Sequence, residues 1–118
     1  MTGMGRFDTS HYLPLTPAMF QVLVALADGE KHGYAVIKDV ARRTDGKVLL
    51  RAGTLYSVIR RFVDDGLIAE SAVRPDPALD DERRRYYRLT DRGRAVAVAE
   101  ARRMAETLTQ ARAKLGVI

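Results

Sequence analysis

Apolar residues recur at helical spacing through the first half of the chain, beginning near residue 16. Thr16 is a favourable N-cap, and Pro17 stands at the first helical position, where proline is tolerated. Asp28-Gly29 is a typical helix end. The apolar stripe consists of Phe20, Leu23, Val24 and Ala27, widened by Met19 and Leu26. This stripe either leaves a pocket beside a partner's helix or is solid core, and we favour core plus dimer contact.

Two further segments have the same helical period. One begins at His32-Gly33-Tyr34 and runs to about Thr44, and the other spans roughly residues 52–65. In the earlier segment the expected inward residues are Ala35, Val36 and Val40, and the expected solvent-facing residues are Lys38, Asp39, Arg42 and Arg43. In the later segment the apolar stripe is Leu55, Val58, Ile59 and Phe62. Residues 47–50 between them form either a brief strand or an extended linker.

After Gly66 the pattern changes to rough alternation, which is typical of a strand. Residues 67–74 are the first strand, 75–82 an acidic, proline-containing loop, and 83–89 the returning strand. We expect these elements to form a hairpin wing. Because side chains alternate between the two faces of a strand, either Tyr86 or Tyr87 must pack on the core.

A last helix begins at Thr90-Asp91 and runs almost to the C-terminus. Its apolar residues alternate steps of four and three, which is the rhythm of a coiled-coil seam. The seam residues are Ala97, Ala101, Met104, Leu108, Ala111 and Leu115. We expect this helix to form a homodimer, with Met19, Phe20 and Leu23 of the first helix at the same interface. The alternative is a helix folded back on its own core.

Composition narrows the class of protein. A chain of 118 residues suggests one domain, and 47% hydrophobic residues are enough for a modest core. No apolar run could cross a bilayer and the N-terminus lacks the apolar stretch of a signal peptide, which predicts a cytoplasmic protein. The absence of cysteine excludes a disulfide framework, a thiol nucleophile and cysteine-bound zinc, and no cofactor is expected.

The net charge of +5 is carried mainly by arginine, with a dense group at residues 83–94. A basic helix face followed by a basic hairpin favours duplex DNA as the partner. The residues predicted for the major groove are Thr54, Tyr56, Ser57 and Arg60; those predicted for the backbone or minor groove are Arg61, Arg83, Arg84 and Arg85. The alternatives are a solvated helix face and a hairpin whose arginines pair with Asp80, Asp81 and Glu82.

His32 and Tyr34 either contact a phosphate at a helix N-terminus or form a turn with a packed aromatic. Together the elements predict a mainly α fold with a small β wing: a winged helix-turn-helix domain followed by a long C-terminal dimerisation helix. The predicted divisions are a flexible N-terminal arm at 1–12, the DNA-binding domain at 13–89 and the dimerisation helix at 90–118. A two-fold dimer would present two recognition helices to a palindromic operator, about one helical turn apart.

The chain resembles the PadR-like family of bacterial winged-helix regulators. The motifs, in family order, are Leu15-Thr16-Pro17, His32-Gly33-Tyr34, Gly53-Thr54-Leu55-Tyr56, Asp65-Gly66-Leu67-Ile68 and the run from Arg85 to Gly93. The resemblance implies a homodimeric repressor with a three-helix core, a recognition helix that starts at Gly53, and a response to small aromatic or drug-like effectors. Arg51-Ala52 replaces the family's usual proline, and the single C-terminal helix indicates the short branch. With no tryptophan, a ligand site built on paired tryptophans is excluded.

Two other classes compete with a DNA-binding transcription regulator. An enzyme has little support, because the chain has two histidines, His11 and His32, and no metalloprotease, phosphate-loop or nucleophile-elbow motif. A cation site at Asp76, Asp80, Asp81 and Glu82 would lie in an exposed loop beside arginines, so no metal is expected. A winged-helix module that contacts only proteins is the stronger rival, and it would lack steeply salt-dependent DNA binding.

Overall fold

The structure, a computed structural model, describes residues 7–71 and 85–117. The helices are α1 (Pro17–Ala25), α2 (Gly33–Arg43), α3 (Ala52–Asp64) and α4 (Asp91–Leu115). The strands are β1 (Lys31–His32), β2 (Ile68–Glu70) and β3 (Tyr86–Leu89), and a 3-10 helix covers Thr9–Tyr12. The strands form one antiparallel sheet in the order β1-β3-β2. This confirms the predicted winged helix-turn-helix fold with a long C-terminal helix.

Three helix starts have side-chain caps, and two of them, Thr16 and Thr90, were predicted from the sequence. Thr16 Oγ1 accepts a hydrogen bond from Met19 N at 3.1 Å, and Thr90 Oγ1 accepts one from Gly93 N at 3.1 Å. His32 Nδ1 accepts from Ala35 N at 3.1 Å and so caps α2. Each bond satisfies an amide that the first helical turn leaves unpaired.

The sheet contains a strand that the sequence did not reveal. Lys31 pairs with Tyr87 and His32 with Tyr86, which places β1 against β3. A strand of two residues is too short to show alternation, and its signal merged with the start of α2. On the other side of β3, Ile68 pairs with Leu89, so β2 begins close to the predicted position but ends at Glu70.

The core lies between the three short helices, the sheet and the start of α4. Its largest fully buried apolar side chains are Phe62, Leu23, Leu55, Leu67 and Ile68, joined by Val22, Val36, Val40 and Val96. Residues 47–50 form no strand, which excludes the brief strand of the two alternatives; the chain bends at 47 and 48 and has no regular secondary structure at 49 and 50. Leu50 is buried and attaches this linker to the core.

Asp39 was predicted to face water, and this was wrong, because its residue is only 7% exposed. Its carboxylate accepts from Arg42 Nη2 and Arg43 Nε, each at 2.7 Å. Arg43 also donates to Gln21 Oε1 at 2.9 Å, which joins α2 to α1. The charge of the Asp39 carboxylate is therefore neutralised by two arginines, one of which also bonds to α1. The spacing of apolar residues could not show these contacts and placed Asp39 at the surface.

Gly93, in the first turn of α4, allows a close contact between two parts of the backbone. A methyl group at Gly93 would overlap the Leu67 carbonyl, with its carbon at 2.9 Å and Leu89 Cδ1 at 2.8 Å. Thr90 N donates to Leu67 O at 3.1 Å, and the Thr90 hydroxyl lies 2.6 Å from Gly66 O. The start of α4 is thereby bonded to the turn that follows α3.

The N-terminal segment is more structured than the predicted loose arm, as far as the structure describes it. The 3-10 helix Thr9–Tyr12 contacts α4, and Arg92 stacks over the Phe7 ring at 5.0 Å. Residues 1–6 lie outside the described residues. Aromatic packing against α4 holds residues 7–12 in place. This segment is too short for its sequence to show a periodic pattern, so the packing could not be predicted.

Glu100 is a buried acid that the sequence analysis missed, with 1% of its surface exposed. Its carboxylate accepts from Leu15 N at 2.8 Å and pairs with the Arg103 guanidinium. The hydrogen bond from Arg103 holds the pKa of Glu100 below its usual range, helped by the Leu15 amide and opposed by burial. Glu100 therefore attaches α4 to the segment that leads into α1.

Beyond Glu100, α4 leaves the core and most of its residues are exposed. Met104, Leu108 and Leu115 are 45%, 50% and 73% exposed. These are three of the predicted seam residues, so within one chain the helix does not fold back along its whole length. Within the described ranges, no helix is both long enough and apolar enough to cross a membrane.

We predict that Glu100→Gln makes the protein less stable at neutral pH and less sensitive to acid. A carboxyl with a lowered folded-state pKa stabilises the fold above its unfolded pKa of about 4.3, and this contribution disappears as pH falls through the folded value. The measurement is urea unfolding at fixed protein concentration between pH 7 and 3. Glu106→Gln, an exposed acid on the same helix, should keep the wild-type pH dependence; equal profiles for all three proteins would contradict this role of Glu100.

We predict opposite effects of alanine at two glycines that both lie in first helical turns. Gly93→Ala should destabilise the fold by about 1–3 kcal/mol, because backbone atoms must move apart to admit the methyl group. Gly53→Ala should stabilise α3 by up to about 1 kcal/mol, because no atom lies within 4 Å of the added carbon. Chemical denaturation measures both, and a neutral Gly93→Ala would show that the contact with Leu67 is loose.

Candidate nucleic-acid interface

The exposed face of α3 carries four of the residues predicted to contact DNA. Thr54, Ser57, Arg60 and Arg61 are all exposed, while Leu55, Val58, Ile59 and Phe62 are buried. The amphipathic period predicted this division, and the packing of α3 on α1 and α2 maintains it. Arg61 Nε lies 3.8 Å from Asp65 Oδ2 one turn further on, which leaves its guanidinium at the surface with a weak ion pair.

Tyr56 was predicted to face the groove, and the structure corrects this, because the residue is only 8% exposed. Its ring lies against Gly33: a methyl group added there would come within 2.9 Å of Tyr56 Cζ. Tyr56 sits at the border of the apolar stripe, where periodicity does not decide between the two faces. Its contribution to a DNA site is to hold the start of α2 against α3.

The start of α2 presents one exposed aromatic and one half-buried histidine. Tyr34 is 57% exposed, and Lys38 Nζ lies 5.0 Å above its ring, which keeps a cation beside the phenol. His32 caps α2 through Nδ1 and packs edge-on against Tyr86, with ring centroids 5.4 Å apart. The cap requires an unprotonated Nδ1, so Nε2 carries the ring proton. His32 is therefore mainly structural, and the exposed Tyr34 is not the packed aromatic of the second interpretation; the phosphate contact stays a prediction.

Only part of the predicted wing lies in the described residues. Arg83, Arg84 and the acids of residues 75–82 fall outside them. Arg85 is half-buried, and its Nε lies 3.5 Å from Glu70 Oε1, so this arginine contacts an acid across the hairpin. That contact resembles the charge-paired alternative, with Glu70 as the acid.

The alternation of β3 resolves the choice between the two tyrosines. Tyr87 is 4% exposed and belongs to the core, whereas Tyr86 is half-buried on the other face. Arg88 shares that outer face and is exposed, although it was not among the predicted DNA contacts. The signal was available: once Tyr87 packs inward, pleating must turn Arg88 outward.

The N-terminus of α3 is flanked by positive charge and has no side-chain cap. Arg51 occupies the N-cap position, makes no capping hydrogen bond, and is exposed. Free amides of the first turn attract anions such as phosphate. Exposed cations of α3 and of the neighbouring elements include Lys38, Lys47, Arg51, Arg60, Arg61 and Arg88. The site can therefore bind phosphate from several elements while offering hydroxyl and guanidinium donors to bases.

The residues predicted for a dimer interface fall into two groups. Leu23 is fully buried in its own chain, so its assignment to an interface is corrected, and Ala97 packs against the same core. Five others, Phe20, Ala101, Met104, Leu108 and Ala111, line an open apolar groove of about 590 Å³ between α1 and α4, together with Arg103, Ala105 and Thr107, whereas Met19 and Leu115 lie outside its lining. The sequence showed the apolar seam but could not show which part of α4 its own domain covers.

Metal chemistry receives no support from these residues. In the part of the chain that the structure describes, no three His, Asp or Glu side chains gather as cation ligands. The acids once considered for a cation, Asp76, Asp80, Asp81 and Glu82, lie outside that part.

Comparison with known proteins gives a consistent assignment. The profile of the Transcriptional regulator PadR-like family matches residues 22–99, which include α2, α3, the sheet and the start of α4. The transcriptional regulator Rv3488 of Mycobacterium tuberculosis is 37% identical over 89 residues, covering 75% of this chain and 76% of that protein.

Two solved structures share the fold. One, from work on the regulation of DNA binding of Bordetella bronchiseptica BpsR by 6-hydroxynicotinic acid, is 37% identical with a TM-score of 0.59, and the match covers 82% of this chain and 64% of that chain. The other is Bacillus subtilis PadR in complex with operator DNA, 20% identical with a TM-score of 0.58. Here the match covers 69% of this chain and 44% of that chain, so the chain spans less than half of that regulator.

Proposed function

The chain belongs to the PadR-like family of transcriptional regulators, and we propose that it acts as a homodimeric repressor that binds a palindromic operator. The observation that carries the proposal is the exposed face of α3, with Thr54, Ser57 and Arg60 beside an uncapped, basic helix start. Hydroxyl and guanidinium groups at the start of a recognition helix are suited to base edges, and flanking cations to phosphates. The operator complex of Bacillus subtilis PadR supports DNA as the ligand.

Homodimerisation is supported by the apolar seam that one chain leaves exposed. Met104, Leu108 and Leu115 together form a surface for which a second α4 supplies a matching partner. Phe20 borders the same groove and would extend the contact to α1. Two-fold symmetry would then bring two α3 helices to one side of the DNA.

An effector would fit the same groove. Its walls are apolar, and Arg103, with part of its guanidinium turned to Glu100, stands at its edge. Such a lining favours a small aromatic molecule, the class to which the 6-hydroxynicotinic acid of the BpsR study belongs. Repression, rather than activation, is proposed on the family resemblance alone.

The proposed function predicts tight, salt-dependent binding to DNA from upstream of the protein's own gene. Fluorescence anisotropy with this DNA and with a scrambled duplex, across a salt series, measures both affinity and the number of phosphate contacts. We expect preference for the upstream DNA and a steep loss of affinity with salt. Arg60→Ala should reduce the preference by about 1–3 kcal/mol. Arg112→Ala removes the same charge near the end of α4 and should leave the preference intact.

If Arg60→Ala weakens binding to both duplexes equally, Arg60 contacts phosphate rather than a base. If the wild-type protein binds neither duplex at low salt, the protein-interaction module replaces the regulator as the best interpretation. Equal, weak binding to both duplexes would place the operator elsewhere, and selection from random DNA would then find it.

For the dimer, we predict that Leu108→Glu converts the protein to monomer, because a charge in an apolar seam loses its water without gaining a partner. Sedimentation equilibrium measures the change. Ala113→Glu adds the same charge on the opposite side of α4, and it should remain dimeric. A Leu108→Glu protein that sediments as a dimer would contradict the proposed interface.

A further inference from the structure

Leu49 is an exposed leucine in the linker between α2 and α3, and the proposed dimer seam does not explain it. It is 71% exposed, which Leu115 alone exceeds among the large apolar residues of the described ranges. Leu115 belongs to the seam of α4, where a second copy of the chain would cover it. Leu49 lies instead two residues before Arg51, the N-cap of α3, which is the helix that carries the proposed DNA contacts.

The linker holds Leu49 outward. Leu50, the residue after Leu49, is 6% exposed and packs in the core. Val48, the residue before it, is half-buried against the same core. Val48 N also donates to Thr44 Oγ1 at 3.1 Å. Burial thus alternates over these three residues, with Leu49 turned to solvent between Val48 and Leu50. Leu49 is therefore a positioned apolar group on a segment fixed at both ends.

The charges around Leu49 indicate what it contacts. Lys47 and Arg51, two residues before and after it, are both exposed, and Arg51 occupies the uncapped N-cap of α3. This combination of cations and helix N-terminus attracts phosphates. Between the two phosphate backbones of a duplex, the apolar group accessible from the major groove is the 5-methyl of thymine.

We propose that Leu49 packs against the 5-methyl group of a thymine at the edge of each operator half-site and thereby sets sequence preference there. This inference rests on the proposed function, because it needs α3 to enter the major groove. It adds a base contact from outside the recognition helix, made by an aliphatic side chain without a hydrogen bond. Leu49 is then a specificity-determining residue that distinguishes thymine by its methyl group.

The test is a thymine-to-uracil scan of an operator selected from random duplexes with the full-length protein. Deoxyuridine keeps every hydrogen bond of thymidine and removes only the methyl group. In the wild-type protein, one thymine per half-site should lose affinity about fourfold on replacement, the effect of one buried methyl group. With Leu49→Ala that penalty should vanish at this thymine and persist at any other sensitive position, which is the non-additivity expected of a direct contact.

Two controls keep the outcome specific. Val117→Ala trims a residue of comparable exposure at the end of α4 and should leave the uracil profile unchanged. Leu49→Met, which keeps an apolar side chain of similar length, should retain the penalty. Because Leu49 is mostly exposed, Leu49→Ala should unfold at the wild-type midpoint.

The outcomes separate this inference from the function on which it rests. A wild-type protein that selects no operator would overturn the proposed function and, with it, the thymine contact. A selected operator whose uracil profile is the same for wild type and Leu49→Ala, or that tolerates uracil at every position, would overturn the contact alone.

Discussion

The contact between the start of α4 and the turn after α3 determines where the other functional surfaces lie. Gly93 lets the α4 backbone meet the Leu67 carbonyl, and Thr90 bonds to the same turn through its amide and hydroxyl. α3 ends at Asp64, only a short turn before Leu67. Because this contact joins the two elements directly, the helix proposed to read DNA and the helix proposed to form the dimer are held as one unit.

Glu100 fixes the direction in which α4 leaves this attachment. It lies two turns beyond Gly93 and binds the Leu15 amide ahead of α1, so α4 is held at two points of its length. An apolar side chain of similar volume at this position would also be buried, but it would leave the Leu15 amide without a hydrogen-bond acceptor. The unpaired amide would lower the free energy of unfolding by about 1–3 kcal/mol. The buried carboxylate therefore fixes the angle of the helix as well as pairing that amide, a role in conformational specificity that buried ionic groups have in some proteins. The exposed half of α4 projects from this point.

Much of the fold could be predicted from the sequence because local chemistry and packing agree. Thr16 and Thr90 cap their helices in the structure as the sequence predicts, and the stripe of Leu55, Ile59 and Phe62 is buried as its period indicates. Prediction failed where a contact with another element decides. Tyr56 is buried because Gly33 leaves space for its ring, and Asp39 is buried because Arg43 links it to α1. Such contacts join residues far apart in sequence, and no local period records them.

The same two attachments give a physical route from the apolar groove to DNA. Arg103 lines the groove and pairs with Glu100, and Glu100 holds the segment leading into α1. A molecule that moved Arg103 would act on the anchor of α4, and the Gly93 contact would pass that movement to α3. A ligand can shift this arrangement only by binding one α4 position better than another. In the proposed dimer, a ligand whose affinity for the groove depends on the angle between the two α4 helices would favour one α4 position over another. The same angle would also set the spacing of the two α3 helices on DNA, so such a ligand would change DNA binding.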